Sequence, residues 1–123
     1  MDNHKKILDE IYEQLKPVFE HSEQAVYIYL DDENIICNKK FAAMLGYKSV
    51  EEWAKIIEPF PMVFVAEKSR ETLVKTYQKA MEKLVGSSVK ITWSKKGGGT
   101  LDSNVILVPL TYKNHAFALH FIS

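Results

Sequence analysis

The sequence predicts an α+β domain: five antiparallel strands in one sheet, helices on one face of it, and an amino-terminal amphipathic helix beside it. Three observations carry this expectation. β-branched and aromatic residues concentrate near the start (25–37) and the end (89–122), and helical periodicity fills the stretch between them. One segment, "NIICNKKFAAMLGY" from Asn34 to Tyr47, switches from strand to helix period at Asn38.

A chain of 123 residues suits a single hydrophobic core. Sixteen basic and sixteen acidic side chains cancel, and no dense Lys/Arg block occurs. That removes the electrostatic footprint expected of a protein that binds nucleic acid or anionic lipid. No run approaches the roughly 18 apolar residues needed to span a bilayer, so the expected location is cytoplasmic. Cys37 is the only cysteine and cannot form an internal disulfide, in keeping with a reducing compartment.

Residues 1–20 form the first unit. Ile7, Leu8, Ile11, Tyr12, Leu15, Val18 and Phe19 mark one helical stripe, which Pro17 distorts or ends. The stripe covers either the protein's own core or a second subunit, with Ile7, Leu8, Ile11, Leu15 and Val18 as the dimer contacts. Ala25 to Leu30 and Ile35 to Cys37 read as a hairpin around the turn Asp31–Asn34. Asn38 then caps a short helix buried through Phe41, Met44 and Leu45 and stopped by Gly46. Ser49 with Glu52 forms a capping box for a helix whose apolar face is Trp53, Ile56 and Ile57 and which Pro59 and Pro61 end. A long helix follows with Val65, Ser69, Leu73, Tyr77, Ala80 and Leu84 on one stripe, closed by Gly86.

Val89, Ile91 and Trp93 alternate with Lys90, Thr92 and Ser94, the pattern of a strand with one buried face. The run Lys95 to Thr100 turns the chain back; its glycines precede a strand, so they do not form a phosphate-binding loop. Leu101–Tyr112 and Ala116–Ile122 supply the last strands, and the unbroken apolar run Val105–Leu110 predicts cover on both faces. The opening hairpin is expected in the middle of the sheet.

Asn38, Phe41, Gly46 and Tyr47 in "NKKFAAMLGY", the strand and glycine turn "VKITWSKKGGG" and the closing "NVILVPLTYKNHAFALHFIS" together resemble the PAS domain family. The resemblance covers about residues 21–123 and leaves residues 1–20 as the cap or dimer helix that often precedes such domains. It implies a PAS-like fold and a non-catalytic sensory module that works by dimerisation and by binding a small molecule between sheet and helices. Candidate pocket residues are Phe41, Met44, Trp53, Tyr77 and Trp93, whose rings could equally fill the space themselves.

Haem fits poorly, because no histidine lies between His21 and His115; His115 and His120 read as surface or satisfied strand residues. Covalent flavin photochemistry also fits poorly: the Asn-Cys-Arg-Phe motif of light-sensing relatives is missing, and Cys37 reads as a small buried residue. Non-covalent flavin or a small apolar metabolite stays open. The end Phe121-Ile122-Ser123 stands where sensors of this family often carry Asp-Ile-Thr before a signalling helix, which points to an excised domain or to a free-standing one that signals to a separate protein. Two other readings remain: an interaction domain with a filled core, and a cone-shaped isomerase or hydrolase with Asp102 as base and Tyr112 or His120 as donor.

Overall fold

The computed structural model describes residues 3–31 and 33–123; Met1 and Asp2 of the first unit, and Asp32 of the expected turn, lie outside the described residues. The elements run α1 (Asn3–His21), β1 (Ala25–Asp31), β2 (Asn34–Cys37), α2 (Lys39–Met44), α3 (Val50–Ala54), α4 (Phe60–Phe64), α5 (Glu67–Lys83), β3 (Ser87–Ser94), β4 (Thr100–Tyr112) and β5 (His115–Ile122). The strands form one antiparallel sheet in the order β2-β1-β5-β4-β3. The α+β architecture is therefore as expected, but the hairpin is not central: β2 is an edge, β1 lies next to it, and β5 holds the middle.

Asn38 joins three elements. Its Oδ1 accepts from the backbone N–H of Val26 and of Phe41, both at 3.0 Å, while its Nδ2 donates to the Gln24 carbonyl at 3.0 Å. The side chain thereby caps α2 and also pins the start of β1, and it is buried with all three partners satisfied. Gly46, at φ +90, then turns the chain out of α2.

Four helices, rather than three, separate β2 from β3. Ser49 caps α3 through the N–H of Glu52, yet the helix stops after Ala54, and Ile57 is 90% exposed instead of buried. Pro59 and Pro61 do not end that helix; they open α4, as its N-cap and second residue, where a missing N–H costs nothing. Val65 is not helical but bridges to Trp93, so α5 begins at Glu67. At its other end Leu84, not Gly86, terminates α5 with a left-handed φ of 53. Helix α1 runs through Pro17 to His21 without a break.

Helices α2 to α5 pack on the inner face, whose core gathers Tyr27, Phe41, Leu45, Trp53, Phe60, Phe64, Ile91, Trp93 and Val105. On the outer face α1 lays Ile7, Leu8, Ile11 and Phe19 against Val26, Ile28, Leu30, Phe117 and Leu119. Cover there is partial. On β4 Val105 and Leu107 are fully buried on the inner side, whereas Ile106 and Leu110 on the outer side stay 49% and 36% exposed, because the apolar cluster under α1 takes in Val108 and Tyr112 of β4 but not these two.

Two substitutions test these junctions. Asn38→Ala orphans two buried N–H groups and is expected to cost about 3 kcal/mol. Leu84→Gly removes left-handed strain at an exposed site and is expected to add about 1 kcal/mol. Urea unfolding of each variant beside the wild type reads both; an unchanged midpoint for Asn38→Ala contradicts the first, and a lowered midpoint for Leu84→Gly the second.

Candidate functional site

A cleft of about 580 Å3 opens on the inner side of the sheet between β1, β5, α4 and α5. The strands contribute the wall through Tyr27 and Tyr29, two apart and so on one face, together with His120, which pairs with Tyr27 across the β1–β5 ladder. Helix α5 contributes Arg70, Leu73, Val74 and Tyr77, a spacing that turns one stripe toward the opening. Phe60, Pro61 and Met62 of α4 form the remaining side.

Arg70 holds that side in place. Its Nε donates to the carbonyls of Pro61 (3.0 Å) and Val65 (3.1 Å), and its Nη2 to that of Met62 (3.1 Å), so the guanidinium staples α4 and the following residue to α5. Glu71, also at the opening, pairs with Lys75 one turn on. Met62 is more than half exposed and Val74 about a third, which leaves the mouth apolar.

His120 differs from its expected role as a surface or satisfied residue. It is 2% exposed and its ring stacks on Tyr27 at 3.9 Å with planes 9° apart. Among the described residues, two buried side-chain polar atoms have no hydrogen-bond partner, Trp53 Nε1 and His120 Nδ1, and of these residues His120 is the one in the cleft lining. Burial, only partly offset by the backbone groups of Ala118 and Tyr27, pushes its pKa down to about 3, so the imidazole is neutral. Burial likewise pushes the Tyr27 hydroxyl well above the ordinary tyrosine range.

The five residues singled out from the sequence divide between two places. Tyr77 lines the cleft, with its ring 5.2 Å from that of Tyr29. Trp53 and Trp93 each meet Phe41 in the closed core, Phe41 being 5.4 Å from Trp93 and 6.0 Å from Trp53, and the Trp93 Nε1–H donates to Ser103 Oγ at 2.6 Å. Met44 packs half-buried at the edge of that cluster. Phe60, Leu73, Arg70 and His120 were not singled out. Leu73 and Tyr77 lie on the core-facing stripe of α5 itself, whereas Arg70 and Val74 lie on the row one position away; the signal for His120 needs the strand register.

Cys37 is buried, and burial pushes its thiol up; it borders a different groove, between α1, β2 and α2, whose rim carries Asp9, Glu20, Lys39 and Lys40. Asp102 is exposed and accepts from Thr92 Oγ1 at 2.6 Å on the outer face, away from the cleft. Among the described residues no His/Cys/Asp/Glu group could hold a metal ion, and no helix is long and apolar enough to cross a membrane.

A family model described as "PAS domain" matches residues 11–77. The PAS domain of a protein from Colwellia psychrerythraea superposes with a TM-score of 0.72 at 22% identity, over 92% of this chain and 95% of that one. A PAS domain from a two-component sensor histidine kinase gives 0.67 at 13% identity, covering 94% and 97%. The Rhodobacter sphaeroides LOV protein gives 0.71 at 15% identity, covering 93% and 67%. At these identities the likeness is one of fold. Among curated proteins none matches.

The neutral His120 has a consequence for stability. In the unfolded chain a histidine takes up its proton near pH 6.5, whereas in the fold it does so only near 3. The unfolded state therefore binds more protons between these values, and stability present above about pH 6.5 is lost as the pH falls toward 3. We expect the urea midpoint to drop between pH 7 and pH 4, and to drop less in His120→Phe, which keeps a ring against Tyr27. Equal drops in both proteins would contradict a buried neutral imidazole.

Proposed function

The chain belongs to the PAS domain family, and on that premise we propose that it is a non-catalytic sensory module that binds a small apolar ligand or a flavin in the cleft between sheet and helices. Such domains are typically sensory parts of signalling proteins. The observation that carries the ligand reading is the cleft itself: about 580 Å3, within the usual range for small-molecule sites, walled by aromatic and aliphatic side chains and open through an apolar mouth. Of the candidate lining residues, Tyr77 would touch the ligand directly, while Phe41, Trp53, Trp93 and Met44 would support the wall from the core behind it. No thiol lines the cleft, so a flavin would be held without a covalent bond to Cys37.

The same reading has the module act as a cytoplasmic homodimer that reports to a separate signalling protein. Leu15 and Val18 of α1 are only half-buried and Ile106 and Leu110 of β4 are exposed, so a second copy could complete the cover of the outer face. Ile7, Leu8 and Ile11 already contact their own sheet and could serve a dimer only by exchanging α1 between copies. The interaction-domain reading shares this surface and differs in leaving the cleft without a ligand.

Two measurements test the proposal. Flavin mononucleotide or a medium-chain fatty acid is expected to raise the melting temperature of the wild type, and Tyr77→Ala to abolish that rise; no response to any such compound would leave the interaction domain. Sedimentation at micromolar concentration is expected to show a dimer that the double substitution Ile106→Lys, Leu110→Lys converts to a folded monomer. A wild-type monomer would contradict dimerisation.

A further inference from the structure

We propose that the cleft takes a neutral, planar aromatic molecule bearing a hydroxyl group, and that this hydroxyl forms a hydrogen bond with Nδ1 of His120; this rests on the ligand-site reading above. The starting point is an unmet requirement. A buried polar atom without a partner carries a desolvation cost that a well-placed ligand group relieves; His120 Nδ1 is such an atom, and His120 is a residue of the cleft lining. A neutral imidazole presents one donor and one acceptor nitrogen, and Nδ1 takes either role depending on the tautomer. A hydroxyl both donates and accepts, so it satisfies Nδ1 in both.

The surroundings set the rest of the ligand. Tyr27, Tyr29, Phe60 and Tyr77 line the space with rings, which favour a flat aromatic partner through stacked or edge contacts. Charge is poorly accommodated. Arg70 is the cation of the lining, and its Nε and Nη2 are engaged by the carbonyls of Pro61, Val65 and Met62; Glu71 beside it repels an anion. A carboxylate entering as far as His120 would lose its water without gaining a counter-charge. The position beside His120, as distinct from the mouth, therefore selects for a phenol-like group over both an anion and a plain hydrocarbon.

The test compares near-isosteres. p-Cresol, p-xylene and p-toluate differ at one substituent, a hydroxyl, a methyl and a carboxylate. Their dissociation constants are measured by NMR titration of the full chain. We expect p-cresol to bind about tenfold tighter than p-xylene despite being the less hydrophobic of the two, p-toluate to bind more weakly than either, and His120→Phe to erase the preference while retaining p-xylene. In the wild type the His120 imidazole 15N resonances should move with p-cresol and stay with p-xylene, which keeps the test decisive should His120→Phe fail to fold. Equal affinities for p-cresol and p-xylene, a preference that survives in His120→Phe, or tightest binding by p-toluate would overturn the hydroxyl assignment alone. Failure of all three compounds and of flavin mononucleotide to shift any cleft resonance would overturn the ligand-site reading and this inference with it.

Discussion

Everything that follows β2 depends on what the Asn38 side chain holds together. One amide satisfies the N–H of Val26 at the start of β1, the N–H of Phe41 in the first turn of α2 and the carbonyl of Gln24 just before the sheet. The contacts to the two N–H groups are buried, so losing the amide leaves them costly to desolvate, and the direction in which the chain leaves the sheet is set there. Phe41 is one turn along α2 from this cap and fully buried, and the rings of Trp53, Phe60 and Trp93 pack around it. The inner core is thus assembled on a helix whose orientation one polar side chain determines.

That arrangement was largely legible in the amino-acid order. The period change at Asn38, the capping pattern at Ser49 and the alternation Val89, Ile91, Trp93 each name an element through local chemistry, and the structure forms all three. The misreadings share a cause. A proline can stop a helix that precedes it or start one that follows, and the sequence between Trp53 and Phe64 allows either for Pro59 and Pro61; burial of Phe60 and Phe64 against the core favours the second. Leu84 takes a left-handed conformation that its residue type opposes, imposed by the need to carry the chain from α5 into β3 while Gly86 stands two residues too late. The apolar run Val105–Leu110 signals burial on both faces, but how much α1 covers is a question of helix placement, not of local pattern.

The candidate site was less legible, because its walls come from elements far apart in the chain. Aromatic residues are easily noticed, and most of them turned out to pack with one another rather than around the cleft. What distinguishes Tyr77 from Trp93 is neither size nor hydrophobicity but which stripe of α5 and which strand position each occupies. His120 was the hardest to read: its significance lies in its pairing with Tyr27 ninety-three positions earlier and in a nitrogen left without a partner, and neither exists before the sheet closes.

The central position of β5 gives the two faces of the sheet a common backbone. His120 points to the cleft side, while Leu119 and Phe121, its immediate neighbours, belong to the surface on which α1 rests. Alternation at a period of two residues makes these side chains opposite ends of one short lever. A guest pressing on His120 from within would push against the same peptide units that seat the amino-terminal helix outside, so occupancy of the interior and the fit of the outer cover share a single strand.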